Sequence, residues 1–296
     1  MFGEPSLFSQ NNHNVIMDVQ RPLKRRYLNI DTKFREMYDY RQPANYTFSL
    51  SDRLTNVSSL ELITASIPIT YYNIFSDPNC IDQGNNYIKI TDLSTSTITI
   101  LKLTNNYYTS ATLKTEINAK ISAASITNLS YDISNNKSLF TSTGTHSMYI
   151  AVNVDANGNT NNTNLLNNLG WRLGFRNDSY TVTSSSSLLS ECNIDIKYPR
   201  YLYVIVDDFS RVNENNFHSI TPGYRMDKNI IAKIAIPNMS YGETLVATRE
   251  NGYLVSDIRR YNGTTHIGKV QIRIIDENGQ TVNFNGSDFV CTFQLD

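Results

Sequence analysis

The chain has 296 residues and a formal net charge of -1, from 26 Lys and Arg against 27 Asp and Glu. It therefore lacks the strong positive field of a protein whose main work is coating nucleic acid. Only 18% of its residues are charged and 40% are hydrophobic, with Asn, Ser and Thr making up much of the remainder; such a surface suits extensive packing against neighbours, as do the 19 tyrosines, although an AT-rich coding bias would also enrich Asn, Ile and Tyr.

Residues 1–19 carry Asn, Gln and Ser with little periodicity, and Arg21, Lys24, Arg25 and Arg26 then crowd around Pro22. This reads as an extended basic arm over 1–26. Its charge fits nucleic acid, anionic lipid or an acidic face of a neighbouring subunit, and a solvated cluster before the first strand explains it equally well. Asp31, Lys33, Arg35 and Glu36 form a mixed-sign group around Phe34, suited either to a subunit contact or to solvent.

From Asn45 the pattern becomes strand-like. Tyr46, Phe48 and Leu50 alternate with Thr47 and Ser49, and Val57, Leu60, Leu62, Ile63 and Ile67 lead to Pro68, which predicts two early strands. A hairpin is expected over 87–90 and 98–103, with turn chemistry in Asp92, Ser94, Thr95 and Ser96. A helix should start at Thr109 or Ser110 and bury Leu113, Ile117 and Ile121. Two short strands joined through Asn135 and Asn136 and a further strand over 147–154 follow. After an Asn-rich run over 157–164, residues 165–173 have helical spacing and close on Gly174, with Trp171 expected to pack instead of holding a ligand.

The last third is again strands. Residues 201–206 form an almost continuous apolar run, as for a strand covered on both faces. Strands over 230–236, 270–275 and 289–295 repeat the theme, with Asn278-Gly279 and Asn285-Gly286 supplying tight turns. The predicted fold class is mainly β: an antiparallel, jelly-roll-like β-sandwich with an inserted small α+β module. Residues 27–75 and 198–296 would form the split sandwich, and 87–176 the inserted ββαββ-type module.

Catalytic signatures are sparse. There is no GxSxG elbow, P-loop, GxGxxG or HExxH, and His13, His146, His218 and His266 lie in separate segments without ligand spacing. No metal or cofactor is expected. Cys80, Cys192 and Cys291 are odd in number and widely spaced, which argues for a reducing compartment. No signal peptide or long apolar span is legible, so the expectation is a chain that is neither secreted by that route nor membrane-spanning, and its Asn-x-Ser/Thr triplets read as accidental. Asp207 and Asp208 follow the buried-looking strand, where some enzymes place carboxylates, but an ordinary strand end in which Asp side chains satisfy backbone donors is the favoured reading.

Three blocks resemble a family of virion proteins in nucleocytoplasmic large DNA viruses, including algal chloroviruses and mimivirus-like giants. The first is Arg26-Tyr27-Leu28-Asn29-Ile30-Asp31-Thr32-Lys33-Phe34-Arg35 with Asn45 to Leu50 and Ser59-Leu60-Glu61-Leu62. The second is Leu169-Gly170-Trp171-Arg172-Leu173-Gly174-Phe175-Arg176, followed by Tyr198-Pro199-Arg200 and the strand to Phe209. The third runs from Lys269 through Asp276-Glu277-Asn278-Gly279 and Asn285-Gly286-Ser287-Asp288-Phe289 to Leu295.

The resemblance implies a non-enzymatic capsid role and a jelly-roll core, and brings no catalytic residues. A major capsid protein of that group would hold two jelly rolls in a longer chain, so the implied role is a minor capsid protein that cements or scaffolds the shell. Its partners would be the major capsid protein and other minor capsid proteins, with the arm able to approach an internal viral membrane, and with no specific nucleic acid or small-molecule substrate. Its place would be the virion shell, assembled in the host cytoplasm. The expected contact residues are Arg21, Lys24, Arg25, Arg26, Tyr27, Phe34 and Arg35. Two alternatives remain: a vertex, penton or fibre-like module that recognises carbohydrate or a host surface, and a β-scaffold hydrolase using Asp207, Asp208 or Glu214.

Overall fold

The computed structural model describes residues 25–35, 44–77, 80–161, 168–210, 213–214, 217–221, 225–227 and 229–296. Its largest element is a nine-stranded antiparallel sheet that runs Arg26–Asp31, Val290–Leu295, Asn45–Pro68, Arg259–Ile275, Tyr201–Asp207, Ile230–Ala235 and Leu254–Ser256. Thr244–Thr248 pairs with the far end of Asn45–Pro68, and Asn213–Glu214 pairs with Arg259–Ile275.

The two early strands expected over residues 46–67 are one bent strand of 24 residues, Asn45–Pro68. Its polar middle looks like a loop in sequence but stays extended, because it pairs with Arg259–Ile275 through register shifts, with Asn56 at φ 54°. Each shift adds an odd number of residues, one or three, to one strand and so flips which side chains face inward. Leu60 and Leu62 point to the core before the irregularity between Leu62 and Thr64, and Ala65 and Ile67 do so after it. Likewise Ile267 is inward before the shift at 267/269, and Val270, Ile272 and Ile274 after it. These bulges let two long strands curl the sheet around one core. Leu202, Val204 and Val206 contribute to that core from a third strand.

Tyr201–Asp207 is covered on both faces, as its apolar run predicts. Its other side carries Tyr203 and Ile205, which pack with Ile230 and Ile275 under Tyr201 and Phe217. At its end, Asp207 accepts from the Phe209 backbone N–H (2.8 Å) and Asp208 from that of Ser210 (2.9 Å). Asp208 also forms a wholly buried ion pair with Arg259 (3.1 Å) and accepts from the Tyr261 hydroxyl (2.5 Å). Burial, and then the Asp208 charge, push the Tyr261 phenol far above its usual range. Among the carboxylates considered for hydrolysis, Asp208 is thus committed to holding the fold, and the side chain of Glu214 lies outside the described residues.

Residues 74–196 build a second large core. The hairpin forms from Tyr87–Asp92 and Thr97–Lys102, closed by Asp92 accepting from Ser94 N–H (2.8 Å). The helix Ser110–Ala123 is capped by Thr109 and Thr112 and buries Leu113, Ile117 and Ile121. Leu129–Ser134 and Lys137–Ser142 turn through Asn135 and Asn136, both at positive φ (50° and 61°). Helix replaces the expected 165–173 only over Leu169–Arg172, and residues 162–167 lie outside the described residues. Gly174, at φ 93°, cannot be replaced, since a Cβ there would lie 2.1 Å from the Cys192 carbonyl oxygen. Trp171 is half-buried beneath the Arg176 guanidinium (4.0 Å to the ring centre).

A polar seam joins the two cores. Asn73 donates to the Tyr108 and Ile196 carbonyls (2.8 and 3.0 Å), which sets the chain leaving the sandwich beside the chain returning to it. Buried Arg172 donates to the Asn73 carbonyl (3.0 Å) and stacks on the Tyr198 ring (4.4 Å). The Tyr198 hydroxyl donates to Asp276, which also accepts from the backbone of Asn278 and Gln280 (both 2.8 Å). Burial holds the Asp276 carboxyl above the ordinary carboxylate range in spite of those donors, and the Glu277 carboxyl likewise in spite of the Arg200 N–H.

We propose that the second core is a separate folding unit inserted into the sandwich. Replacing residues 74–196 with a short Gly-Ser linker should then leave a chain with β-type circular dichroism and cooperative urea unfolding. Loss of that signal would show that the two cores fold as one.

Candidate assembly surface

The rim of the sandwich is built where the first and last strands meet. Arg26–Asp31 pairs with Val290–Leu295 over six residues with no register shift. Among the described residues it stands at the end of the sheet. Period-two alternation buries Ile30 and packs Leu28 on the core, which leaves Tyr27 on the outer face, 61% exposed. Arg26 donates to the Thr55 carbonyl (2.9 Å), and Arg25 lies 3.8 Å from the Asp296 carboxylate in a pair exposed enough to contribute little stability.

Beyond the strand the chain makes a tight turn, Thr32–Phe34, whose first backbone donors need partners. Asp31 accepts from Lys33 N–H (2.9 Å). Thr32 is fully buried: its N–H donates to the Phe289 carbonyl (3.0 Å), and its hydroxyl accepts from Phe289 N–H (2.9 Å) and donates to Asp288 (3.0 Å). Arg35 closes the turn from beneath, donating to the Thr32 carbonyl (2.7 Å) and to Asp288 (2.5 Å). Phe34, held between these anchors, is 77% exposed. An aromatic ring on a clamped turn keeps its apolar area in water while losing little freedom on docking, the property of an interface anchor.

Of the seven residues expected to make contacts, Arg25, Arg26, Tyr27 and Phe34 thus gather on this rim, and Arg21 and Lys24 lie outside the described residues. Arg35 departs from the expectation. Its side chain is 1% exposed and turned inward to Asp288, so it positions Phe34 and offers no surface of its own. The residues that sequence reading missed are Thr32 and Asp288; the only sequence signal for them is that both stand in the blocks carrying the resemblance.

The third of those blocks meets each of the other two. The first and third meet at the paired first and last strands and through Arg35 and Asp288. The second contributes Arg172 and Tyr198, and the latter meets the third at Asp276. The Arg200 N–H likewise donates to Glu277 (3.1 Å).

Among the described residues no group of three or more His, Cys, Asp or Glu is placed to hold a metal, and no helix is long and apolar enough to cross a membrane. No protein-family model and no curated protein matches the chain. Among solved structures, the crystal structure of the mavirus penton protein aligns over 92% of this chain and 99% of its own, with a TM-score of 0.47 and 10% identity. A chain in the 3.5 Å cryo-EM structure of the Sputnik virophage aligns over 93% and 98%, with a TM-score of 0.42 and 14% identity. Likenesses this loose transfer no role to the chain.

The clamp separates two substitutions only one residue apart. Phe34→Ala should change unfolding free energy by no more than about 0.5 kcal/mol. Arg35→Ala, which removes the charged partner of Asp288 and frees the turn, should cost about 3 kcal/mol, the lower end of the range for a broken buried pair because Asp288 is partly exposed and keeps the Thr32 hydroxyl. Urea denaturation followed by far-UV circular dichroism measures both.

Proposed function

We propose that this chain is a non-enzymatic structural subunit of a viral capsid, a minor component that binds major capsid subunits and other minor proteins in the icosahedral shell of a large DNA virus. The observation that carries the reading is the convergence just described. The three blocks that resemble virion proteins of such viruses lie far apart in sequence, yet they form neighbouring strands of one sheet and the seam at its end. A resemblance spread over chance matches would not select residues that hold one another in place.

The rim supplies a means of assembly without chemistry. Tyr27 and Phe34 are large, exposed and fixed, and low surface charge reduces the desolvation cost of packing against a neighbour. One sandwich with a second core at its end favours a vertex or cementing position over the facet capsomer, which in that group holds two jelly rolls. The basic segment before Arg25 leads directly into the rim and would reach a neighbouring subunit or the inner membrane from there.

Cross-linking mass spectrometry on purified particles tests the proposal. Lys33 is exposed beside Phe34 and reports on this surface. Cross-links from Lys33 to the major capsid protein are expected. Absence of the chain from particles would overturn the capsid role, and a chain present but with Lys33 linked only within itself would overturn the role of the rim.

A further inference from the structure

The second core carries a concave site that the capsid role does not use. Three segments distant in sequence meet there: the hairpin around Asp92 and Thr99, the exit of the helix at residues 124–128, and the loop over 143–148. They line an open cleft of about 550 Å³, within the range of small-ligand sites. Backbone hydrogen bonds tie the walls together, from Thr143 N–H to the Asn128 carbonyl (2.9 Å) and from Leu93 N–H to the Ser147 carbonyl (3.1 Å).

The floor is apolar and the rim is not. Ile90 and Met148 are almost fully buried at the base, with Ile126 beside them. Around them stand side chains that both donate and accept, namely Thr99, Thr127, Asn128 and Thr145, and these make no side-chain hydrogen bond to the described residues. This contrasts with the seam, where Asn73 spends both ends of its amide on the backbone. Gly144 maintains the shape: a Cβ there would lie 2.6 Å from the Asn128 amide nitrogen, so the missing side chain is what leaves Asn128 room beneath the loop.

Charge narrows the ligand class. Among the described residues no Lys or Arg lines the cleft; its one carboxylate, Asp92, already accepts from the Ser94 N–H and hydroxyl (2.8 and 2.6 Å), and the exposed His146 imidazole is its one other ionisable side chain. An anionic ligand would meet that carboxylate and find no Lys or Arg to offset it, only the His146 imidazole. A neutral ligand with many hydroxyls and one C–H face fits both the uncommitted rim and the apolar floor.

We propose that this cleft binds a neutral, polyhydroxylated ligand, the terminal sugar of an uncharged glycan. Among the described residues no Phe, Tyr or Trp lines it, so each site binds weakly, and many copies on one particle would raise the avidity by orders of magnitude. The site stands on the geometry of the second core alone; only the avidity rests on the capsid reading.

Saturation-transfer-difference NMR on the isolated full chain, with maltose, cellobiose, mannobiose and chitobiose as probes, tests the site without particles. Transfer to at least one neutral disaccharide is expected, with binding about tenfold weaker in the Thr99→Val/Thr127→Val double variant, which keeps the shape and removes two hydroxyls. Gly144→Ala, which displaces Asn128 and touches no hydroxyl, should weaken the same signal, and unchanged circular dichroism of both variants establishes that they fold. Silence from every neutral probe, transfer undiminished in both variants, or transfer only to sulfated or sialylated sugars added as controls would each overturn the proposal. None of these outcomes bears on whether the chain sits in a capsid.

Discussion

The insertion of the last strand between the first and the second is the constraint on which the fold depends. Val290–Leu295 pairs on one edge with Arg26–Asp31 and on the other with Asn45–Pro68, and it drives Cys291, Phe293 and Leu295 into the core. Burial pushes the Cys291 thiol up to about 12, so it behaves as a small apolar side chain. Until this strand is seated, the first strand has no partner among the described residues, Arg35 lacks Asp288, and the turn that presents Phe34 has nothing to brace it. Pairing residues more than 250 positions apart is an entropically late event in folding.

Arginine does much of the remaining work inside the molecule. Arg35, Arg172 and Arg259 are all buried, and each donates to backbone carbonyls of segments that are otherwise loops or strand ends: Thr32, Asn73, and Val206 with Asn229. A planar guanidinium with several fixed donors suits this role in a way that lysine does not. The consequence for function is that a chain already poor in charge turns part of it inward, as at Arg35, while the rim presents Tyr27 and Phe34 beside the exposed cations Arg25 and Lys33.

Much of the architecture was legible because local periodicity and burial agree. The hairpin of Tyr87–Asp92 and Thr97–Lys102, the capped helix with Leu113, Ile117 and Ile121, and the doubly buried strand Tyr201–Asp207 follow directly from pattern. The single long strand was not legible, because its exposed middle, rich in Ser, Asp, Arg and Asn, is kept extended by a partner some 200 residues away. Short strands such as Thr244–Thr248 and Leu254–Ser256 exist only through their sheet neighbours. At the rim, Phe34 and the basic residues stood out, but Arg35 looked like surface because a buried arginine is recognised only by its carboxylate, here Asp288. The cleft was invisible for a similar reason, since three hydroxyl-rich segments look alike until folding brings them around one floor.

The most direct measurement is hydrogen–deuterium exchange by mass spectrometry on the free chain and on the chain in intact particles. Amides of residues 290–295 should exchange slowly in both states, while those of 26–35 should exchange faster in the free chain and slow markedly in the particle. Equal exchange of 26–35 in the two states would contradict a role for this rim in assembly, and fast exchange of 290–295 in the free chain would contradict the closure on which the rim is built.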